Sequence, residues 1–303
     1  MLLAALLTAL IVAAGLVLLA LAVVSGVAAW VAYQMTRLSR YEVWGHPTEL
    51  DLAYEDVTFP SRRDKVRLRG WYLPAQDDTR CIILVQGEEH HRNSPGIRAL
   101  ALGGDLVAQG FSVLLFDFRG RGESGGKRNS AGDREQWDLL GAMDFVTARG
   151  IPPERTGIIG FSLGAAVATL VAARERRIPA IVSDSGFLDY MPYLHRVPFY
   201  FMFLPAWFAV PIVLAGRILW GADFSKVRPV KVVDKIAPRP IFFIHGANDH
   251  VVPCYETVEL HRVAGNPDNL LWIIPGSGHV RSYARQPTEY VARVSEFFRR
   301  YIA

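Results

Sequence analysis

Residues 160–164 read Gly-Phe-Ser-Leu-Gly, set between the apolar run TGII and the small-residue segment LGAAVATLVAAR. G-x-S-x-G in that setting prescribes a strand, a sharp turn and a helix. The glycines are a steric requirement, because strand and helix must nearly touch where the turn closes. The turn lifts the Ser162 hydroxyl clear of a sheet edge. It also sets Ser162 at a helix N-terminus, where the peptide dipoles favour developing negative charge.

The rest of the chain carries the same rhythm. Short apolar runs fall at 56–59, 66–73, 81–85, 112–116, 156–159, 180–183, 241–244 and 270–274. Helix-like segments fall between many of them, at 97–109, 134–148 and 163–174, and one closes the chain at 288–301. Alternation of this kind predicts βαβ units and a mainly parallel sheet. The runs lack polar alternation because helices would cover both sheet faces. The opening pair of strands suits an antiparallel edge.

Two segments depart from the rhythm. Met1 to Thr36 carries no charged side chain, the first being Arg37. A bilayer core about 30 Å thick needs about 20 helical residues, and this run exceeds that. Trp30 and Tyr33 lie near its end, where an aromatic belt would sit. A cleaved signal peptide would show a basic leader and a shorter apolar stretch. Residues 1–36 therefore read as a single-pass transmembrane anchor and 37–52 as a linker. Arg37 and Arg40 follow the run with no Lys or Arg before it, which favours a cytoplasmic C-terminal domain. The second departure is 186–230, too long for an ordinary loop. Its uncharged centre, Val197–Gly216, holds Pro198, Pro205 and Pro211. A second membrane crossing there would separate Ser162 from the residues downstream, so the segment reads as a cap or lid inserted in a domain spanning 53–303.

Composition closes off other classes. Hydrophobic residues at 51% exclude a disordered chain. A net charge of +4 from 33 basic and 29 acidic residues, without a long basic run, gives no case for nucleic acid. Two cysteines, Cys81 and Cys254, exclude a disulfide framework and read as small buried apolar residues.

A serine hydroxyl needs a base, and the base an orienting acid. Downstream of Ser162, Asp249 lies in the loop of IHGANDHVVP and His279 ends PGSGH, each after an apolar strand. Ser, Asp and His in that order suit this kind of turn. With the loop Asp117-Phe118-Arg119-Gly120-Arg121-Gly122-Glu123-Ser124, and Leu68-Arg69-Gly70-Trp71-Tyr72-Leu73-Pro74, the chain resembles the α/β-hydrolase superfamily over about residues 50–303. It is similar in particular to membrane-anchored, ABHD-type and serine-peptidase-like members. The resemblance implies an α/β-hydrolase fold, with Ser162 as nucleophile, His279 as general base and acid, and Asp249 as orienting carboxylate. It implies an oxyanion hole from the backbone N–H groups of Leu163 and Glu88. Relatives usually carry His-Gly where this chain has Gln86-Gly87. No metal or organic cofactor is implied.

Plainer readings stand beside these. Asp184 ends a strand after the turn, and some members place the acid there. His245 and His250 flank Asp249 and read as structural or solvent-facing. His90 and His91 with Glu88 and Glu89 hint at a metal, but adjacent residues rarely converge on one ion. Asp117 and Arg119 read as loop-holding residues. The chain reads as a serine hydrolase of an ester or thioester with a lipophilic acyl group. A serine peptidase or aminopeptidase-like enzyme is the alternative in the same chemistry. A catalytically inactive, membrane-tethered binding protein is the alternative outside it. The partners expected are a small-molecule or lipid acyl substrate and, through the N-terminal helix, the membrane; the sequence leaves the oligomeric state open.

Overall fold

The computed structural model describes residues 1–37, 40–77, 79–88, 91–193 and 204–302. Ser39, Glu89, His90 and residues 194–203 of the expected cap lie outside them. Eight strands form one sheet in the order β1-β2-β4-β3-β5-β6-β7-β8. They are β1 (Glu55–Pro60), β2 (Arg67–Leu73), β3 (Cys81–Val85), β4 (Ser112–Phe116), β5 (Thr156–Phe161), β6 (Ile181–Asp184), β7 (Ile241–Gly246) and β8 (Leu270–Ile274). β1 and β2 pair antiparallel, β2 pairs antiparallel with β4, and every later pairing is parallel. This is the α/β-hydrolase fold the sequence pointed to.

Helices cover both faces, which explains the missing polar alternation. On β3, Cys81, Ile83 and Val85 enter one core with α3 (Glu135–Ala148) and α4 (Leu163–Ala172). Ile82 and Leu84 enter the other, with α2 (Ala99–Ala108) and the C-terminal helix. All five are fully buried. Burying an aliphatic side chain such as these contributes about 1.5–3 kcal/mol, and β3 gains it on both faces. The C-terminal helix Pro287–Tyr301 buries Tyr290, Val291, Val294, Phe297 and Phe298, a stripe at helical spacing. Its other faces are charged, as the sequence pattern requires.

The N-terminal helix α1 (Leu2–Thr36) is long and apolar enough to cross a membrane. Residues 2–23 are exposed along their whole length. Ala28, Val31, Ala32 and Thr36 are buried instead, against α5 (Ala209–Trp220) and Ala131. Polar contacts fasten the same end. The Thr36 carbonyl accepts from Asn129 N at 3.0 Å, and Arg128 donates to Thr36 Oγ1 at 2.9 Å. Arg128 also lies over the rings of Tyr33 and Trp220. The following stretch is not a bare linker: Pro47–Leu50 forms a 3-10 turn, and Leu52 packs near α2.

Candidate active site

Ser162 stands between β5 and α4 with φ +53° and ψ −115°, a strained backbone for a residue with a side chain. The surroundings hold it there. Its N–H donates to the Asp184 carbonyl at 2.9 Å, and its carbonyl receives Ala165 N at 3.0 Å. A side chain at Gly160 would overlap the Gly164 carbonyl, and one at Gly164 would overlap Val85. Those contacts are the reason for the G-x-S-x-G pattern.

His279 follows β8 and reaches back over the sheet edge. Its Nε2 lies 3.0 Å from Ser162 Oγ and its Nδ1 2.7 Å from Asp249 Oδ2. Nδ1 faces a carboxylate, so it carries the ring proton. Nε2 is then free to accept from the serine. The structure thus brings together the three residues the sequence singled out. Asp249 Oδ1 receives Val251 N at 2.8 Å and Val252 N at 2.9 Å, which fixes the carboxylate plane. Burial raises its pKa, but hydrogen bonds from His245, His279 and Val252 N outweigh that. The carboxyl is held well below the usual range.

Asp184 does not take this place. Its side chain accepts from Ser185 Oγ and Ser282 Oγ, each at 3.0 Å. Burial, opposed by the charge of His245 and these hydroxyls, pushes its pKa up to about 6.

The loop after β3 lies against the nucleophile. A Cβ at Gly87 would stand 3.6 Å from Ser162 Cβ, which sets the Gly87–Glu88 backbone beside the serine. Leu163 heads α4, so its N–H is one of the first-turn donors that lack an intrahelical acceptor. The negative charge of Glu88 has an explanation here: its carboxylate accepts from Asn129 Nδ2 at 3.0 Å and Tyr190 OH at 3.2 Å. The same loop is pinned by Arg92. Its backbone N and Nη1 each donate to Asp117 at 2.6 Å, and its Nη2 pairs with Glu123. Arg119 pairs with Asp138 at 2.7 Å and Asp64 at 2.6 Å. Asp117 and Arg119 are loop-holding residues, as the sequence reading has them.

Sequence reasoning gave His245 too small a part. It is fully buried on β7, with Nε2 2.9 Å from the Val252 carbonyl and 3.1 Å from Asp249 Oδ2. Two acceptors face Nε2, so that nitrogen carries a proton. Nδ1 lies 2.7 Å from Thr257 Oγ1, whose hydroxyl donates to the Gly186 carbonyl at 3.1 Å. A hydroxyl has one hydrogen, so while Thr257 donates to Gly186, Nδ1 must donate to Thr257 and the ring is charged. Burial lowers the pKa of His245, but Asp249, the Val252 carbonyl and Asp184 together raise it. The usable signal was its position four residues before Asp249 across a tight turn. Among the described residues, no cluster of three or more His, Cys, Asp or Glu is arranged to hold a metal.

Residues 105–303 match the prolyl oligopeptidase family of serine peptidases, family S9. The chain belongs to that family. As a prolyl oligopeptidase family protein it falls in the serine-peptidase-like branch of the α/β-hydrolase superfamily, and it is a serine hydrolase. Other likenesses agree with this placement. The Pyrococcus furiosus esterase Pf2001 shares 28% identity and a TM-score of 0.71, covering 88% of this chain and 100% of that one. Uncharacterized protein YqkD of Bacillus subtilis is 30% identical over 237 residues, 76% of this chain and 74% of its own length. Hypothetical protein PA2218 of Pseudomonas aeruginosa shares the fold at 21% identity and a TM-score of 0.67.

Proposed function

We propose that this prolyl oligopeptidase family protein is a membrane-anchored hydrolase of carboxylic esters or thioesters with lipophilic acyl groups. The observation that carries the reading is the unbroken chain Ser162 Oγ, His279, Asp249, at 3.0 and 2.7 Å. His279 Nε2 takes the serine proton as Oγ attacks the carbonyl. Asp249 keeps the imidazole oriented and stabilises its charged form. The N–H groups of Leu163 and Glu88 receive the oxyanion, each donor being worth about 2.7–4 kcal/mol. The leaving group departs with the proton held on His279. Water, activated by the same nitrogen, then releases the acid.

Four further observations support the ester, the lipophilic acyl group and the anchor. Pf2001, an esterase, matches over its full length. Leu163, Ala166, Phe187, Val227 and Val252 form a buried apolar cluster beside the nucleophile, shared between the main fold and the insertion read as a cap. On α5 and the turn before it, Trp207, Val210, Leu214 and Ile218 present an exposed apolar stripe beside the docked end of α1. The exposed part of α1, residues 2–23, spans about 33 Å at about 1.5 Å per residue, close to the bilayer core. In this reading α1 crosses the membrane and the stripe on α5 rests in its surface, with the domain on the cytoplasmic side.

The test is labelling of detergent-solubilised protein with a fluorophosphonate, beside Ser162→Ala and His279→Ala. p-Nitrophenyl esters and aminoacyl p-nitroanilides are then compared as substrates. Labelling lost in both variants, with ester turnover dominant, is expected. Anilide turnover exceeding ester turnover would make the protein a peptidase. No labelling of folded wild-type protein would leave a tethered binding protein.

A further inference from the structure

Behind His279 lies an open cleft of about 540 Å³, formed by the loops after β7 and β8 and by the segment leading into α2. His279 itself is part of its wall, with Arg98, His250, Arg281 and Arg285. Among the described residues, no Asp or Glu lines it. We infer that this cleft binds the phosphate of a phosphate-bearing leaving group, and that the enzyme acts on acyl esters or thioesters of that class. The inference rests on the hydrolase reading above and names the substrate's second half.

Three exposed arginines converge on this cleft. Arg281 and Arg285 are four residues apart on one helical turn, with Arg285 N donating to the Arg281 carbonyl at 2.9 Å. Like charges at that spacing face each other and destabilise. Arg98 joins them from across the cleft and sits in the left-handed region at φ +55°, where a side chain is disfavoured. Its segment packs against the histidine loop, since a Cβ at Gly96 would stand 3.5 Å from Val280 Cγ2. Among the described residues none of the three arginines has an ion-pair partner, whereas nine other arginines of the domain lie within 4 Å of a carboxylate oxygen. A cleft lined by one sign of charge concentrates counter-ions, and guanidinium forks match phosphate oxygens.

The floor of the cleft is rigid. Asn248 N donates to the Ser277 carbonyl at 2.9 Å, and Gly276 N donates to Asn248 Oδ1 at 3.1 Å, tying the two loops together. The position matches the chemistry, because His279 protonates the departing atom. Attack by Ser162 Oγ forms the acyl C–O bond and breaks the bond to the leaving oxygen or sulfur. That atom takes the proton from His279 Nε2. Water then cleaves the acyl-enzyme to a carboxylic acid and restores the serine. The departing alcohol or thiol passes the histidine, and a phosphate it carries meets the arginines beyond.

The experiment uses the full chain in neutral detergent. Octanoyl coenzyme A and a lysophosphatidic acid in mixed micelles are compared with p-nitrophenyl octanoate, for wild type, R281A/R285A and R281Q/R285Q. Both double variants are expected to lose tenfold or more in kcat/KM on a phosphate-bearing substrate, mainly through KM, and to stay within twofold on the neutral ester. The substrate showing the larger loss identifies a soluble thioester or a lipid as the source. In parallel, calorimetry measures pyrophosphate binding to Ser162→Ala protein with and without the arginine substitutions. Binding that the substitutions abolish supports the cleft whether or not the serine is catalytic. Equal losses on neutral and phosphorylated substrates, no turnover of either phosphorylated substrate, or pyrophosphate binding unaffected by the substitutions would overturn the inference. Failure of Ser162 to react with fluorophosphonate would overturn the hydrolase reading and with it the substrate assignment, leaving the pyrophosphate titration to decide the anion site by itself.

Discussion

Two buried aspartates end up near His245, and they are opposites. Asp249 lies in the turn after β7, where two backbone N–H groups and two histidines converge on its carboxylate. Asp184 ends the adjacent strand β6, where its neighbours are serine hydroxyls. Burial pushes both carboxyls toward the neutral form. Imidazole and backbone N–H donors overcome it at Asp249, whereas hydroxyls and the neighbouring His245 do not at Asp184. The lesson is that a carboxylate becomes an orienting group for a histidine through the donors supplied to it, not through burial or closeness to the nucleophile. Asp184 is tied to Ser162 through the backbone and still does not serve His279.

The strongest way to break the comparison is to neutralise each acid in turn. Asp249→Asn keeps the shape but presents an amide to His279 Nδ1, which allows the wrong tautomer. Its turnover of p-nitrophenyl esters should fall about 10⁴-fold. Asp184→Asn should stay within a few-fold of wild type, because no reacting group touches it. Equal losses would mean that both acids serve the histidine.

Stability against pH sharpens the contrast, because the signs differ. The folded carboxyl of Asp249 lies below its unfolded value of about 3.9, so its stabilisation is present above about pH 4 and is lost as pH falls further. The folded carboxyl of Asp184 lies near 6, above its unfolded value. Its favourable contribution is complete below about pH 4 and disappears as pH rises through 6. Thermal melts of Asp184→Asn should therefore match wild type near pH 4 and exceed it at pH 7.5. The difference should be on the order of 2–3 kcal/mol. Asp249→Asn should fall below wild type at pH 7.5 and approach it in acid. Parallel curves for the two variants would remove the distinction.

A smaller effect is expected from His245→Asn. The variant withdraws one of the two imidazoles facing Asp249 and leaves the backbone donors in place. Loss of one hydrogen bond to a charged group should lower kcat about tenfold. It should also bring the acid limb of the stability curve closer to the ordinary carboxylate range. Unchanged kcat with an unchanged acid limb would make His245 a packing residue only.

The difference between the aspartates also marks how far the sequence can be read. The fold was legible because fully apolar strands and stripe-patterned helices carry burial in their composition. Ser162, Asp249 and His279 were legible because a steep turn needs Gly160 and Gly164, and because each partner directly follows a strand. The choice between Asp249 and Asp184 rested on the resemblance, since side-chain donors do not show in spacing. His245 was passed over because its contact with Asp249 depends on the turn 246–252 folding back on itself. The role of Asn129 and Tyr190 in holding the Glu88 side chain by hydrogen bonds was hidden for a similar reason, as 41 and 102 residues separate them from it. The docking of α1 on α5 was not visible either, because an uncharged helix that meets lipid at one end and protein at the other looks uniform in sequence.

The mildest substitution reaches the link between the two acids. Thr257 Oγ1 joins His245 Nδ1 at 2.7 Å to the Gly186 carbonyl, two residues after Asp184. Thr257→Val preserves shape and removes the hydroxyl. His245 Nδ1 then has no acceptor for a second proton, and the neutral ring becomes the favoured form. A neutral His245 still donates from Nε2 to Asp249, so kcat should drop two- to threefold rather than tenfold. Nitrogen-15 histidine spectra at pH 7 should move one ring from the imidazolium pattern to the neutral pattern in this variant. Asp184 would lose the neighbouring positive charge that opposes its burial, and its titration should move further upward. A wild-type spectrum in which His245 is already neutral would assign the Thr257 hydrogen to His245 rather than to Gly186. The strength of Asp249 would then rest on the backbone N–H groups and His279.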